Sequence, residues 1–230
     1  MRLLCFLLQV CLLLVFAQAS VFSSVIACPC DQIKMPAQAP PELSIPEGLA
    51  YTHTAAYRLD FDKAVDSAKR FCVKYKKEHP DARNLAVVSD VDETILDNRE
   101  EFKTHPQKFL WSEFEAWIKQ ARAPLLPKTA PFLKWARKEG FAIIILTGRP
   151  EADRIWTIEN LVRNGVAYDG LYLRTDDDKS PPQDYKSAVR KSIEDMGFTI
   201  VVNIGDQTSD LMGGHSLDCE KLPNEMYFLH

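Results

Sequence analysis

The sequence predicts an α/β fold: a parallel sheet flanked by helices, with a small helical cap inserted after its first strand. Three observations carry the prediction. Apolar runs at 85–88, 141–146 and 199–204 read as buried strands of a parallel sheet, which is apolar on both faces. The segments between them show helical spacing and stop at glycine or proline. Each run also ends in a polar turn holding Asp or Thr, at the strand end where open α/β sheets bind ligands.

Of the 230 residues, 46% are apolar, ample for one domain with a sizeable core. The net charge of −4 speaks against a nucleic-acid polymer as partner. Any phosphate site must therefore supply its own positive charge locally.

Met1-Arg2 precedes an apolar run from Leu3 to Phe16, too short to span a bilayer comfortably and the size of a signal-peptide core. Residues 1–27 are read as that signal. Cleavage falls either after Ala19, in Ala17-Gln18-Ala19, or before Cys28, because Val25-Ile26-Ala27-Cys28 resembles a lipobox. The chain is expected to be exported, periplasmic or extracellular, with a membrane anchor only if Cys28 is lipidated. Residues 28–48, rich in proline, read as an extended leader to a domain over 49–230. Four cysteines follow the signal: Cys28, Cys30, Cys72 and Cys219. A Cys72–Cys219 bridge is one candidate, with other connectivities open.

Within the domain a helix is expected over about 50–78, with Asp60 as its N-cap and Pro80 closing it. The strand at 85–88 leads into Asp90-Val91-Asp92. Carboxylates that close repel, and they stay ionised together only beside a cation or strong hydrogen-bond donors. A hard ion such as Mg²⁺, which favours carboxylate, carbonyl and water oxygens, is the natural partner. A carboxylate beside such an ion is a plausible nucleophile toward a phosphoryl group, giving an aspartyl-phosphate.

Residues 95–127 form the insertion, where Ser112-x-x-Glu115 reads as a capping box opening a helix over about 113–121. Its aromatics read mostly as a small core. Phe102 and Trp111 are the candidates for contacting an organic leaving group. A helix over 129–140 follows, with Pro131 in its first turn and Gly140 as its stop.

The strand at 141–146 ends in Thr147-Gly148-Arg149-Pro150. A threonine hydroxyl and free backbone N–H groups there suit a phosphoryl oxygen, and Gly148 lets the backbone approach closely. A helix over 151–164 follows, with Ile155, Ile158, Leu161 and Val162 on one face and Gly165 as its stop. A short strand at 171–173 precedes a charged loop, 174–179, read as solvated. Lys186, near the start of a helix ending by Gly197, is the candidate for fixed positive charge. The strand at 199–204 runs into Gly205-Asp206-Gln207-Thr208-Ser209-Asp210. There Asp206 reads as a metal ligand, with Asp210 completing or orienting the shell.

Asp90-Val91-Asp92-Glu93-Thr94, Thr147-Gly148-Arg149, Lys186 and Gly205-Asp206-Gln207-Thr208-Ser209-Asp210 together resemble the four motifs of the haloacid dehalogenase (HAD) superfamily. Val91 to Asn98, Tyr185-Lys186-Ser187 and Lys221-Leu222-Pro223-Asn224 narrow the resemblance to the subfamily IIIB acid phosphatases. That group includes bacterial class C lipoprotein phosphatases and plant vegetative storage proteins. The resemblance implies a HAD-like Rossmannoid sheet and a phosphoric monoester hydrolase acting on small phosphate monoesters, nucleoside monophosphates among the options. It implies Asp90 as nucleophile and Mg²⁺ ligand. Asp92 would be acid and then base, touching the metal through its backbone carbonyl. Thr147, Gly148 and Lys186 would hold the phosphoryl group, with Asp206 and Asp210 as further metal ligands. Arg99-Glu100-Glu101-Phe102, where many relatives have Ser-Pro-Tyr, leaves the preferred leaving group open, and Glu225 stands where proline is common. A non-catalytic storage or phosphate-binding protein and a phosphotransferase are the rival readings.

Overall fold

The computed structural model describes Cys30, Ile33 and residues 44–229. The expected signal peptide, Cys28 and most of the proline-rich leader lie outside the described residues. Among those described, no helix is long and apolar enough to cross a membrane.

Five strands form one parallel sheet: β1 (Leu85–Ser89), β2 (Ala142–Pro150), β3 (Gly170–Arg174), β4 (Thr199–Gly205) and β5 (Asp218–Lys221). Their spatial order is β3-β2-β1-β4-β5. The chain moves outward from β1 to β3, then returns to the other side of β1. This reversal opens a crevice at the carboxyl ends of β1 and β4, where ligands bind in such sheets. β5 lies on the sheet edge and carries Asp, Glu and Lys, so its polar sequence gave no strand signal.

Alternation along the strands divides the core. Val87, Ile143 and Ile145 join a large cluster with residues of α2 (Ala55–Glu78), α5 (Thr129–Lys138) and the insertion. Ala86, Val88, Ile144 and Leu146 face the other way, onto Ile193 of α7 (Pro182–Asp195). A right-handed crossover that reverses direction must change faces, which explains why α7 stands on the far side.

Several local expectations are corrected. The first helix, α1 (Ile45–Thr52), begins inside the stretch read as leader, because Glu47 accepts the Ser44 N–H at 2.9 Å. The N-cap of α2 is Thr54, not Asp60, and its hydroxyl accepts the Tyr57 N–H at 3.1 Å. Within the insertion, α3 (Arg99–Thr104) precedes α4 (Trp111–Ile118), whose N-cap is Leu110. Ser112 therefore lies inside α4 and forms no capping box.

The helix after β2 is a short 3₁₀ turn, Glu151–Asp153, followed by α6 (Arg154–Arg163). The apolar face does not pack as a unit: Leu161 is buried, but Ile155 and Val162 are exposed. The buried face is instead polar and includes Thr157 and Asn160. Asn160 exchanges two hydrogen bonds with the Ala123 backbone, at 3.1 and 2.8 Å. α6 thus faces the insertion's backbone, where carboxamides pair better than hydrocarbon.

The disulfide joins Cys30 to Cys219, across 189 residues. Cys72, one candidate partner in the sequence, is a free thiol buried on the inner face of α2, pushed up to about 12 by that burial. In a chain-entropy account, closing so long a loop destabilises the unfolded ensemble by roughly 5 kcal/mol.

Candidate active site

Asp90 stands just beyond β1, and its N–H donates to the Ile204 carbonyl of β4 at 3.0 Å. The crevice thereby receives its first carboxylate from one strand and Asp206 from the next. Lys186 reaches in from α7 and is almost fully buried. Its Nζ donates to Asp90 Oδ1 at 2.7 Å and to Asp210 Oδ1 at 2.5 Å. Carboxylate oxygens of Asp90, Asp206 and Asp210 all lie within 4.8 Å of one another. Asp90, Lys186, Asp206 and Asp210 thus meet in one place, as the sequence predicts.

Each carboxylate has its own fixings. Asp206 Oδ2 accepts from Gln207 Nε2 at 2.6 Å and from Asn224 Nδ2 at 2.8 Å, while Asp210 Oδ2 accepts the Gln207 N–H at 2.8 Å. Gly205 is required here: a Cβ on it would lie 2.4 Å from Asp210 Oδ2. On the far side Arg190 Nη1 donates to the Asp210 carbonyl at 2.6 Å, tying α7 to α8 (Thr208–Leu211).

Burial dominates the electrostatics. It holds the Asp90 carboxyl well above the usual carboxylate range, with Lys186 opposing and Asp210, Asp206 and Asp92 adding to the rise. Burial, then the charge of Asp210, pushes Asp206 up to about 6. For Lys186 burial works against the charge, but Asp210 and Asp90 outweigh it and the ammonium is held more firmly than usual. One cation among these acids leaves excess negative charge, which a hard divalent ion bound by oxygen would neutralise. The donor set fits Mg²⁺.

These shifts give a signed pH prediction. A carboxyl whose folded pKa exceeds its unfolded value of about 4 takes up protons preferentially in the native state. In EDTA, the urea midpoint is therefore expected to rise as pH falls from about 7 to 5. A midpoint that falls over this window would remove Asp90 and Asp206 as the dominant titrating groups.

Asp92 does not join the carboxylate cluster through its side chain. Arg149 Nε and Nη2 grip it at 2.9 and 2.6 Å, and Asn98 Nδ2 donates to it at 2.9 Å. Arg149 is fully buried and also donates from Nη1 to the Thr157 hydroxyl at 3.1 Å. Asn98 is held in turn by Trp117 Nε1 at 2.8 Å, linking Asp92 to the insertion. The sequence reading gave Arg149 no role. Its signal was a cation in the turn that carries Thr147, but its partner lies 57 residues away.

Glu93 adopts a positive φ of 52° and is buried, accepting the Asn98 N–H at 3.0 Å and the Tyr227 hydroxyl. This contact brings the C-terminal segment against the site. Asn224 and Tyr227 have no role in the sequence reading because each acts through a contact distant in the chain, 18 and 134 residues away. Gln207 has none because a glutamine beside an aspartate is no distinctive pattern, although its bonds to Asp206 and Asp210 are local.

The site opens into a cleft of about 890 Å³ whose lining includes Thr147, Gly148 and Trp111. The Thr147 hydroxyl accepts the Arg149 N–H at 3.2 Å. A Cβ on Gly148 would meet no protein atom within 4 Å, so packing does not demand glycine there. Of the two suspected aromatics, Trp111 lines the cleft, whereas Phe102 is buried beneath it against Phe114, 5.9 Å between ring centroids. Phe109, Phe114 and Tyr227 complete the aromatic wall, with Phe109 stacked on Tyr227 at 5.0 Å. The loop at 174–179, read as solvated, supplies Arg174, Asp176 and Asp178 to the same lining.

A family model described as HAD superfamily, subfamily IIIB (acid phosphatase) matches residues 19–230. The chain belongs to this acid phosphatase family. Its similarity to acid phosphatase 1 of Solanum lycopersicum is 35% identity, covering 82% of this chain and 78% of that one. The stem 28 kDa glycoprotein of Glycine max is 33% identical over 82% of this chain and 76% of its own length. Among solved structures, the class C acid phosphatase from Bacillus anthracis shares the fold with a TM-score of 0.65. That likeness holds at 20% identity, covering 80% of this chain and 85% of the other. The expected HAD-like fold and acid phosphatase family are thus borne out.

Proposed function

We propose that this family member is an exported, Mg²⁺-dependent phosphomonoesterase that works through an aspartyl-phosphate on Asp90. The observation that carries the reading is the convergence of Asp90, Asp206 and Asp210 around Lys186 at the head of a cleft. Its substrates are small organic phosphate monoesters, nucleoside monophosphates among them, which the aromatic wall accommodates. The apolar leader and the Cys30–Cys219 bridge support export to an oxidising, periplasmic or extracellular space. Membrane attachment follows only if Cys28 carries lipid.

In this reading an Asp90 carboxylate oxygen attacks phosphorus, forming an acyl phosphate as the phosphorus–oxygen bond of the ester breaks. Asp92, oriented by Arg149 and Asn98, gives its proton to the departing oxygen. It then takes a proton from the water that cleaves the aspartyl-phosphate and frees inorganic phosphate. Thr147, the Gly148 backbone and Lys186 hold the phosphoryl oxygens, Lys186 balancing charge on Asp90 throughout. Asp90, Asp206, Asp210 and the Asp92 carbonyl would hold Mg²⁺, which when bound screens the carboxylates and polarises the phosphoryl group.

Hydrolysis of p-nitrophenyl phosphate at mildly acidic pH is the direct test. Activity is expected with Mg²⁺, to be lost in excess EDTA and to return on adding Mg²⁺. Undiminished activity in EDTA would remove the metal from the mechanism. Relatives include vegetative storage protein 1 of Arabidopsis thaliana, 29% identical over 75% of this chain, which favours a storage role as the second reading. A folded chain inactive on every monoester would select it. Phosphate appearing on an added alcohol would identify a phosphotransferase instead.

A further inference from the structure

The same cleft has a polar part to its lining. Arg174, Gln183 and Tyr185 all line it. Arg174 Nε, Gln183 Oε1 and the Tyr185 hydroxyl are each buried without a hydrogen-bond partner. Native proteins leave few such groups unpaired, because each forfeits hydration without compensation. Three beside one cleft call for a common explanation.

Chain position and strand register tie two of them to the residues that would hold the phosphoryl group. Gln183 lies one turn before Lys186 on α7, so the two share a helix face, and Lys186 bonds Asp90. Arg174 ends β3, in register with Pro150 of the Thr147 turn. Burial pushes the Tyr185 phenol up to about 12, so it keeps its proton and can donate. Together they offer a guanidinium donor, a hydroxyl and a carboxamide.

Charge identifies what they suit. Asp176, Asp177 and Asp178 outnumber Arg174 and Lys179 in the neighbouring loop, and Asp178 lies 3.6 Å from Arg174. That field disfavours a second phosphate. It tolerates neutral groups that both give and accept hydrogen bonds, which hydroxyls do. A pyranose or furanose ring presents hydroxyls on its rim and C–H bonds on its faces, matching a cleft lined by both polar groups and aromatic rings.

Resting on the phosphatase reading, we propose that Arg174, Gln183 and Tyr185 form a leaving-group subsite that recognises the hydroxyls of a sugar-like polyol. The three atoms are shielded from solvent, so the proposal requires the side chains to turn toward the ligand when it binds.

The test compares three esters: a hexose 6-phosphate, cyclohexylmethyl phosphate of similar size without hydroxyls, and p-nitrophenyl phosphate. Gln183→Leu and Tyr185→Phe are each expected to lower kcat/KM for the hexose ester about tenfold, leaving the other two within about twofold. Thermal midpoints no lower than wild type would confirm folding, since each change removes an unpaired buried atom. Equal losses on all three esters, or a wild type indifferent to the hydroxyls, would overturn the subsite. Binding of the hexose ester to the Asp90→Asn protein, measured by calorimetry, separates this result from the phosphatase reading. Weakening by a further Tyr185→Phe change, with inorganic phosphate binding unaltered, supports the subsite even if no ester turns over. Unchanged hexose-ester affinity refutes it.

Discussion

Asp90→Asn protein is expected to fold and to lose at least about a thousandfold in the hydrolysis of p-nitrophenyl phosphate. The amide keeps an oxygen for the hydrogen bond from Lys186 but cannot form an acyl phosphate. Folding survives because the change removes one of several buried acids that repel each other across the crevice. Two measurements read the result: initial rates with Mg²⁺, and mass spectrometry of acid-quenched protein. Wild type should gain the mass of one phosphoryl group, lost in the variant. A variant retaining more than about a tenth of the rate would mean that another group, or water, attacks phosphorus directly.

The second large effect is on stability. Lys186→Met removes the cation that bonds both Asp90 and Asp210, leaving two buried carboxylates without it. Breaking a buried ion pair from one side costs about 3–5 kcal/mol, far more than an exposed pair is worth. Urea unfolding in EDTA measures this, and the loss should shrink at low pH as the carboxylates take up protons. A second change, Asp210→Asn, should recover part of the loss, because an uncharged amide no longer needs the ammonium. A single variant as stable as wild type, with no recovery in the double, would show that Lys186 carries no such charge balance.

Legibility followed locality. The runs at β1, β2 and β4 and the acids at their ends are local patterns, so Asp90, Asp206 and the strands beneath them could be read directly. Lys186 followed from the need for one cation among aspartates. Arg149 was passed over because its meaning depends on Asp92, a partner that only the fold brings near. The same reason hid Asn224, which secures Asp206, and left the Cys30–Cys219 pairing undetermined. β5 escaped because an edge strand can be polar throughout. In the insertion, a good capping signature at Ser112 lost to packing: Phe114, Trp117 and Ile118 are buried, and α4 begins where that burial requires.

α6 carries a practical lesson for anyone improving the solubility of this protein. An engineer guided by hydropathy would leave Ile155 and Val162 untouched and replace the polar residues between them. The opposite choice is the sound one. Ile155 and Val162 point outward and can become lysine or glutamate at little risk. Thr157 receives Arg149, and Asn160 pins the insertion, so hydrophobic replacements there would unfasten both the Thr147 turn and the insertion from α6.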